Sequence, residues 1–532
     1  MDIQGTNIIG FGQFAGSAKI LRGFNPREGA ALEPAFHEAN AGEVERALEL
    51  AAAAAVELRA LSGERIADFL LAVREEILEL GDELLQRASL ESGFDTGRLS
   101  GERDRTTNQL KMFADLAREG SWLDARIDPA MPERKPMPRV DIRRMLRPVG
   151  PVAVFGASNF PLAFSVAGGD TAAAFAAGNP VVVKAHPAHP GTSELVARAI
   201  VNAVRKQKLP EGTFSMLNGI TPETSLAIVT NPNTKAVAFT GSERAGRALF
   251  DAASRRSEPI PVFAEMGSVN PLFVLSGALA GDGKPEGLAD ALYKSVTLGV
   301  GQFCTCPGLV FGVEGPQFSS FVTKLADLFE QAGPGTMLNP AIAKNFRDRF
   351  DNAAGVKDVR AFKSARLADL QRTEGRPGLL VTDASTWLRQ DTLHEEIFGP
   401  ATVVVRCRSE EEVLTCAKGL AGTLTATLHG TPADLARHAE LVNLLTQKAG
   451  RLVFNGFPTG VEVGHAMHHG GPYPATTDEK FTSVGSAAIY RFARPVCYQN
   501  FPDELLPPEL QNANPRGIWR RIDGQLTKNA LS

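Results

Sequence analysis

Five short apolar runs between residues 151 and 265, separated by stretches of helical period, constrain the fold of this chain more than any other feature. The runs at 151–155, 181–184, 213–217, 236–240 and 260–265 are apolar nearly throughout instead of alternating with polar residues. A strand reads this way when both of its faces are covered, as inside a parallel sheet. The stretches at 170–177, 192–206, 222–230 and 243–254 have helical period and supply the covers. Repeated βα units with short connections predict an α/β fold, and ligands of such sheets bind beyond the carboxyl ends of the strands. At or just past those ends stand Asn159, Lys184, Gly241-Ser242 and Glu265.

A second alternation follows. Strands are expected at 309–313, 379–382, 401–406, 423–428 and 451–455, and helices at 317–331, 409–417 and 432–448. A helix at 286–300 leads into it through Gly301-Gln302-Phe303-Cys304-Thr305-Cys306-Pro307. Amphipathic helices at 42–61, 66–85 and 100–117 precede the first alternation. Between 129 and 148 clustered prolines exclude helix, and an alternating tail suggests a protruding strand, either a loop excursion or an oligomer contact. A strand at 482–493 is expected to pair with it.

A chain of 532 residues is too long for one core, so two or three domains are expected. Its formal net charge of −4 gives no reason to expect nucleic acid or a membrane surface as partner. Five cysteines, an odd count, do not form a disulfide framework, and no apolar run is long enough to span a bilayer. The first residues lack a basic segment followed by an apolar one, so a cytoplasmic protein is expected.

Several residues carry chemistry. Cys304 stands where the 286–300 helix stops, with small neighbours and free backbone N–H groups expected nearby; it is either a nucleophile or a buried structural thiol. Glu265, a carboxylate in apolar company, is either an ion-pair member or a general base with a raised pKa. Asn159 is a turn residue or a neutral donor to developing negative charge. Lys184 closes an apolar strand, where a lysine suits ribose hydroxyls or phosphate. Ser242 caps a helix after a tight turn whose amides suit a pyrophosphate.

Gly301-Gln302-Phe303-Cys304, Phe239-Thr240-Gly241-Ser242 with Gly246, Glu265-Met266-Gly267 with Asn270-Pro271, and Glu395-Glu396-Ile397-Phe398-Gly399-Pro400 together resemble aldehyde dehydrogenases. The resemblance covers about residues 43–494. It implies a Rossmann-like cofactor domain (1–136 and 152–265), an α/β catalytic domain (266–473) and a small β oligomerisation ribbon with a C-terminal tail (137–151 and 474–532). It makes Cys304 the nucleophile, Glu265 the base for deacylation, and Asn159 with the Cys304 N–H the oxyanion hole. Lys184 and Glu396 match the ribose-binding pair, Phe398 the residue near the nicotinamide, and Gly241, Ser242 and Gly246 the pyrophosphate turn. A homodimer or homotetramer is implied, and no metal is required.

Two positions depart from the commoner pattern: Gly267-Ser268 replaces a glycine pair, and Pro187 replaces the glutamate of NAD-preferring members. Pro187 removes the repulsion of a 2′-phosphate, so NADP is expected to be preferred, with NAD use also open. The wording at 184–193 and 494–502 is similar to a branch holding α-ketoglutarate semialdehyde (2,5-dioxovalerate) and fatty aldehyde dehydrogenases. The first substrate is chosen here; the second needs a long apolar channel, for which Phe160, Phe164, Phe303 and Phe457 are the candidate lining. Two rival readings are a zinc site of Cys304, Cys306, His465, His468 and His469, and a non-catalytic nucleotide binder.

Overall fold

In the computed structural model of the chain, which describes residues 2–281 and 283–531, the alternation at 151–265 forms a seven-stranded sheet. Its parallel members lie in the order Val262–Glu265, Ala236–Thr240, Val152–Phe155, Val181–Lys184, Phe214–Leu217. The antiparallel strands Asn7–Ile9 and Gly12–Phe14 extend the last edge. Alternate residues serve two cores, as a period of two requires. Val152, Val154, Val181 and Val183 pack on one face, and Ala153, Phe155, Val182 and Phe239 on the other. Burying each of the larger side chains stabilises the fold by about 1.5–3 kcal/mol.

Strand order reverses at Val152–Phe155. The chain first builds outward through Val181–Lys184 and Phe214–Leu217, then returns to the opposite side at Ala236–Thr240. Such a reversal opens a crevice at the carboxyl ends of the two central strands. Here Phe155 stands beside Phe239, so Asn159 and Gly241 flank that crevice.

The second seven-stranded sheet runs Arg360–Lys363, Gly378–Asp383, Ala401–Cys407, Leu309–Val313, Pro271–Val274, Thr423–His429, Ala449–Phe454. All pairings are parallel except at the Arg360–Lys363 edge. The helix expected at 432–448 breaks at His438 into Pro432–Arg437 and Ala439–Leu445. The helix expected at 286–300 spans Lys284–Thr297, because Gly299 and Val300 adopt left-handed backbone with φ of 55° and 58°. For a β-branched valine that conformation costs of order 1–3 kcal/mol, and it turns the chain sharply toward Cys304. Gly301 follows with no room for a side chain: a Cβ there would lie 2.1 Å from the Gly399 carbonyl oxygen.

A third, five-stranded sheet joins Ala493–Gln499, Ile142–Pro148, Arg126–Asp128, Arg520–Ile522 and Gln525–Thr527. The strand expected at 482–493 is corrected. Ser486–Phe492 is a 3-10 helix whose Ala488, Ile489 and Phe492 are buried in the first core, and the ladder with Ile142–Pro148 begins only at Ala493. The apolar side chains of that segment follow helical rather than strand spacing. The tail is knotted to this sheet by arginines. Arg520, 1% exposed, donates to the carbonyls of Glu509, Gln511, Asn512 and Asn529, and Arg143 pairs with Asp141 and Asp503. No helix among the described residues is long and apolar enough to cross a membrane.

Candidate active site

Cys304 lies in the turn after the Val300 reversal, and the turn is held from two sides. Asn270 Nδ2 donates to the carbonyls of Cys304 (2.8 Å) and Cys306 (3.0 Å). Buried Gln302 accepts from the Leu338 N–H at 3.0 Å and donates to the Gly299 carbonyl at 3.2 Å. Asn270 is oriented by the hydroxyls of Ser268 (2.9 Å) and Thr425 (3.0 Å). Ser268 Oγ also lies 2.6 Å from Thr423 Oγ1 and accepts from the Leu424 N–H. The serine that departs from the glycine pair therefore ties the nucleophile loop to the Thr423–His429 strand. The Cys304 N–H has no partner among the described residues.

The Cys304 Sγ lies 3.5 Å from His469 Nε2, which is itself 2.9 Å from Glu265 Oε1. Ser483 Oγ donates to the other carboxylate oxygen, so both oxygens of Glu265 are bound. The three residues are far apart in sequence, and each arrives on its own element: Glu265 from the last parallel strand, Cys304 from the second unit, His469 from the glycine-rich loop. Sequence reasoning placed the first two but not His469 or Ser483. The only signal for the histidine was its place in a His-rich loop, which suggested a metal instead.

The electrostatics follow from this packing. Burial and the adjacent Glu265 push the Cys304 thiol well above its ordinary range, and Glu396 adds to this while Arg105 opposes it. Burial pushes Glu265 upward too, but His469, Ser483 and the Cys304 thiol together hold its carboxyl below the usual range. The raised pKa considered for Glu265 is thus not found. Nor does the helix that leads to Cys304 lower its pKa, since that helix presents its negative carboxyl end and stops at Thr297. Cys306 is an inert neighbour, its thiol toward the Val296 carbonyl and its pKa pushed to about 12 by burial and Glu396.

Of the five residues considered for zinc, only Cys304 and His469 meet. Their ligand atoms and one from Glu265 lie within 4.8 Å of one another. His465 bonds instead to Ser486 Oγ at 3.0 Å.

Asn159, 7% exposed, donates from its side-chain amide to the Gln302 carbonyl at 3.0 Å, and its backbone carbonyl accepts from Arg98. Its second amide hydrogen is left for another acceptor beside Cys304. Phe160 packs edge-on against Phe303 at 5.5 Å. Both rings line a cavity of about 700 Å³ with Phe94, Arg98, Glu102 and Arg105. Phe164 touches Phe160 at 5.3 Å from behind. Phe457 packs at a tilt on His429 at 4.9 Å against the catalytic sheet and does not line that cavity.

The residues at the crevice suit a dinucleotide. Gly241 and Ser242 are exposed, and the Ser242 hydroxyl caps the Glu243–Ser254 helix, leaving first-turn amides open. Gly246 is needed for close packing, because a Cβ would lie 2.8 Å from the Met266 side chain. Lys184 has no hydrogen bond or ion pair among the described residues, and burial, opposed by Glu38, lowers its pKa to about 8. Glu396 leans over Gly267, whose absent Cβ would lie 2.6 Å from Oε2, and burial raises its pKa to about 7. Pro187 and Phe398 are half-buried beside these two. A partnerless ammonium and a raised carboxyl are both groups that ribose hydroxyls would satisfy.

The sequence pattern of the aldehyde dehydrogenase family matches residues 15–473. The chain is 48% identical over 526 residues to alpha-ketoglutaric semialdehyde dehydrogenase 2 of Azospirillum brasilense, covering 99% of this chain and 100% of that one. It is 45% identical over 527 residues to an alpha-ketoglutaric semialdehyde dehydrogenase of Acinetobacter baylyi, with 99% of each chain covered. Among solved structures, betaine aldehyde dehydrogenase of Staphylococcus aureus superposes with a TM-score of 0.79 at 19% identity, over 94% of this chain and 96% of that one. PnpE, in complex with nicotinamide adenine dinucleotide, gives 0.78 at 20% identity, over 93% and 97%.

Proposed function

The chain belongs to the aldehyde dehydrogenase family, an NAD(P)-using family of oxidoreductases, and from that premise we propose that it oxidises α-ketoglutarate semialdehyde to 2-oxoglutarate. Likeness along the whole chain to two such enzymes supports the substrate. The observation that carries the chemistry is the contiguous series Cys304–His469–Glu265.

In this reading Cys304 is the nucleophile. Because its resting form is the thiol, attack on the aldehyde requires the proton to leave as the S–C bond forms, and the Glu265 carboxylate, hydrogen-bonded to that thiol, is the acceptor. Asn159 and the Cys304 N–H donate to the oxygen that becomes anionic. A bound nicotinamide dinucleotide supplies the acceptor for the hydride lost from the thiohemiacetal carbon. Lys184 and Glu396 would hold its ribose hydroxyls, and Gly241, Ser242 and Gly246 its pyrophosphate. Glu265, ionised again and held by His469 and Ser483, then takes a proton from the water that cleaves the Cys304 thioester.

NADP is the preferred cofactor in this reading. Pro187 presents no carboxylate to a 2′-phosphate, and Lys184 is protonated below its pKa of about 8. The domain spans are 1–136 with 152–265 for cofactor, 266–473 for catalysis, and 137–151 with 474–532 for assembly into a dimer or tetramer.

The test is a panel of aldehydes assayed with NAD and NADP. Highest kcat/KM is expected for α-ketoglutarate semialdehyde with NADP, with 2-oxoglutarate recovered as product. A clear preference for decanal would overturn the substrate without touching the roles of Cys304 and Glu265.

A further inference from the structure

Glu265, Cys304 and His469 present one ligand atom each, a carboxylate oxygen, a sulfur and an imidazole nitrogen, all within 4.8 Å of one another. Thiolate, imidazole and carboxylate together are a donor set for zinc, whereas magnesium and calcium take oxygen alone. In a tetrahedral site, Zn–S of about 2.3 Å and Zn–N of about 2.0–2.1 Å place sulfur and nitrogen about 3.5 Å apart. Cys304 Sγ and His469 Nε2 already stand at 3.5 Å. The 2.9 Å between His469 Nε2 and Glu265 Oε1 has to open to about 3.4 Å, a shift within the reach of a side-chain rotation.

The groups behind these atoms hold two of them in place. Glu265 is tied through its other oxygen to Ser483 Oγ, which leaves Oε1 for an ion. The His469 backbone is pinned on both sides, its N–H donating to Thr482 Oγ1 at 2.8 Å and its carbonyl accepting from the Ser483 N–H at 2.8 Å. A metal-bound histidine normally donates its second ring N–H to a supporting acceptor, but Nδ1 of His469 is buried with no partner among the described residues. That omission weakens the site, so an ion bound here exchanges instead of holding the fold. The charge also balances. A zinc ion with one thiolate and one carboxylate is neutral, so Arg105 and Arg451, which both act on Cys304 through space, meet no added charge.

We propose that Cys304, His469 and Glu265 form a reversible zinc site, with water as the fourth ligand, through which Zn²⁺ switches the protein off. Binding replaces the S–H bond of Cys304 by an S–Zn bond and sends that proton to solvent, while the Nε2 hydrogen of His469 moves to Nδ1. No electron is transferred, so a chelator reverses the change. The sulfur lone pair that attacks an aldehyde is held by the ion for as long as it stays bound. The site needs no particular aldehyde, so it stands apart from the substrate reading above.

The experiment titrates the full chain, free of thiol reductants and chelators, with Zn²⁺ and, as a spectroscopic probe, with Co²⁺. One equivalent of Zn²⁺ should abolish aldehyde oxidation, and EDTA should restore it. Co²⁺ should give the near-ultraviolet absorption band of a thiolate-bound cobalt ion, again at one equivalent, in the wild type and in Cys306→Ser. The band should be absent in Cys304→Ser. In His469→Gln the ion should bind more weakly by at least the roughly 10- to 100-fold that loss of a supporting group costs. Thermal unfolding reports the fold of each variant, and Zn²⁺ should raise the Tm of the wild type but not that of Cys304→Ser. Loss of the band in Cys306→Ser would overturn the assignment in favour of a dithiol site, and equal affinity in His469→Gln would overturn it in favour of a bare thiol. Inhibition that EDTA does not reverse would equally overturn it. Should the protein oxidise none of the aldehydes offered, the cobalt band and its dependence on Cys304 and His469 still decide the site.

Discussion

At the scale of single residues, His469 joins the nucleophile to the carboxylate, and its Nδ1 is buried without a partner among the described residues. Replacing it by glutamine keeps an N–H donor for Glu265 but not the imidazole. His469→Gln is expected to lower kcat in steady-state assays by less than the roughly 100- to 10,000-fold that loss of a general base costs. Glu265→Gln should slow deacylation more than acylation, giving a burst of reduced cofactor followed by slow turnover; unchanged steady-state rates in rapid-mixing assays would refute that role. Cys306→Ser should retain most activity, its thiol being turned to the Val296 carbonyl; a loss as deep as that of Cys304→Ser would revive a dithiol or metal reading. Cys304, Glu265 and Asn159 were legible because each stands at a strand end or in a distinctive motif. His469 and Ser483 were not, since their meaning arises only when a loop some two hundred residues on folds back over Glu265.

At the scale of elements, the parallel strands were legible because covering both faces leaves unbroken apolar runs, and their ends fall within a few residues of expectation. The misread pieces were those whose apolar residues fit two periods, notably Ser486–Phe492, and those bent by left-handed residues, notably Val300. The Val181–Lys184 strand carries a cost that tests the site. Lys184 has its pKa lowered from 10.5 to about 8, so the folded state holds fewer protons than the unfolded one between those values. Its penalty is full below about pH 8 and fades as pH rises toward 10.5, making this group's contribution to stability more favourable with increasing pH. Lys184→Met should therefore raise unfolding stability at pH 7 by roughly 1–3 kcal/mol and flatten its rise toward pH 10, while weakening cofactor binding. Chemical denaturation at pH 7 and 9.5 checks the sign; destabilisation at pH 7 would mean that the ammonium has a partner.

At the scale of the whole molecule, the three sheets were foreseeable as two α/β units and a ribbon, but the closure of the C-terminal tail was not. It depends on Arg520, a single buried cation that gathers four carbonyls from two passes of the tail. No periodicity announces such a residue. Arg520→Met should cost about 3 kcal/mol or more, through carbonyls left unsatisfied, and lower the Tm of the whole chain. A loss confined to the tail, with the main melting transition unmoved, would show that the tail is an appendage.

The resting thiol of Cys304 has a consequence for how the protein ages. Oxidants and alkylating agents attack thiolates, and here burial and Glu265 keep the sulfur protonated until an aldehyde arrives. An idle molecule is thus expected to react slowly with peroxide. Inactivation by hydrogen peroxide should be slow at neutral pH and quicken as alkali strips the proton, and Glu265→Gln, by removing the neighbouring negative charge, should shorten the shelf life of the protein at neutral pH.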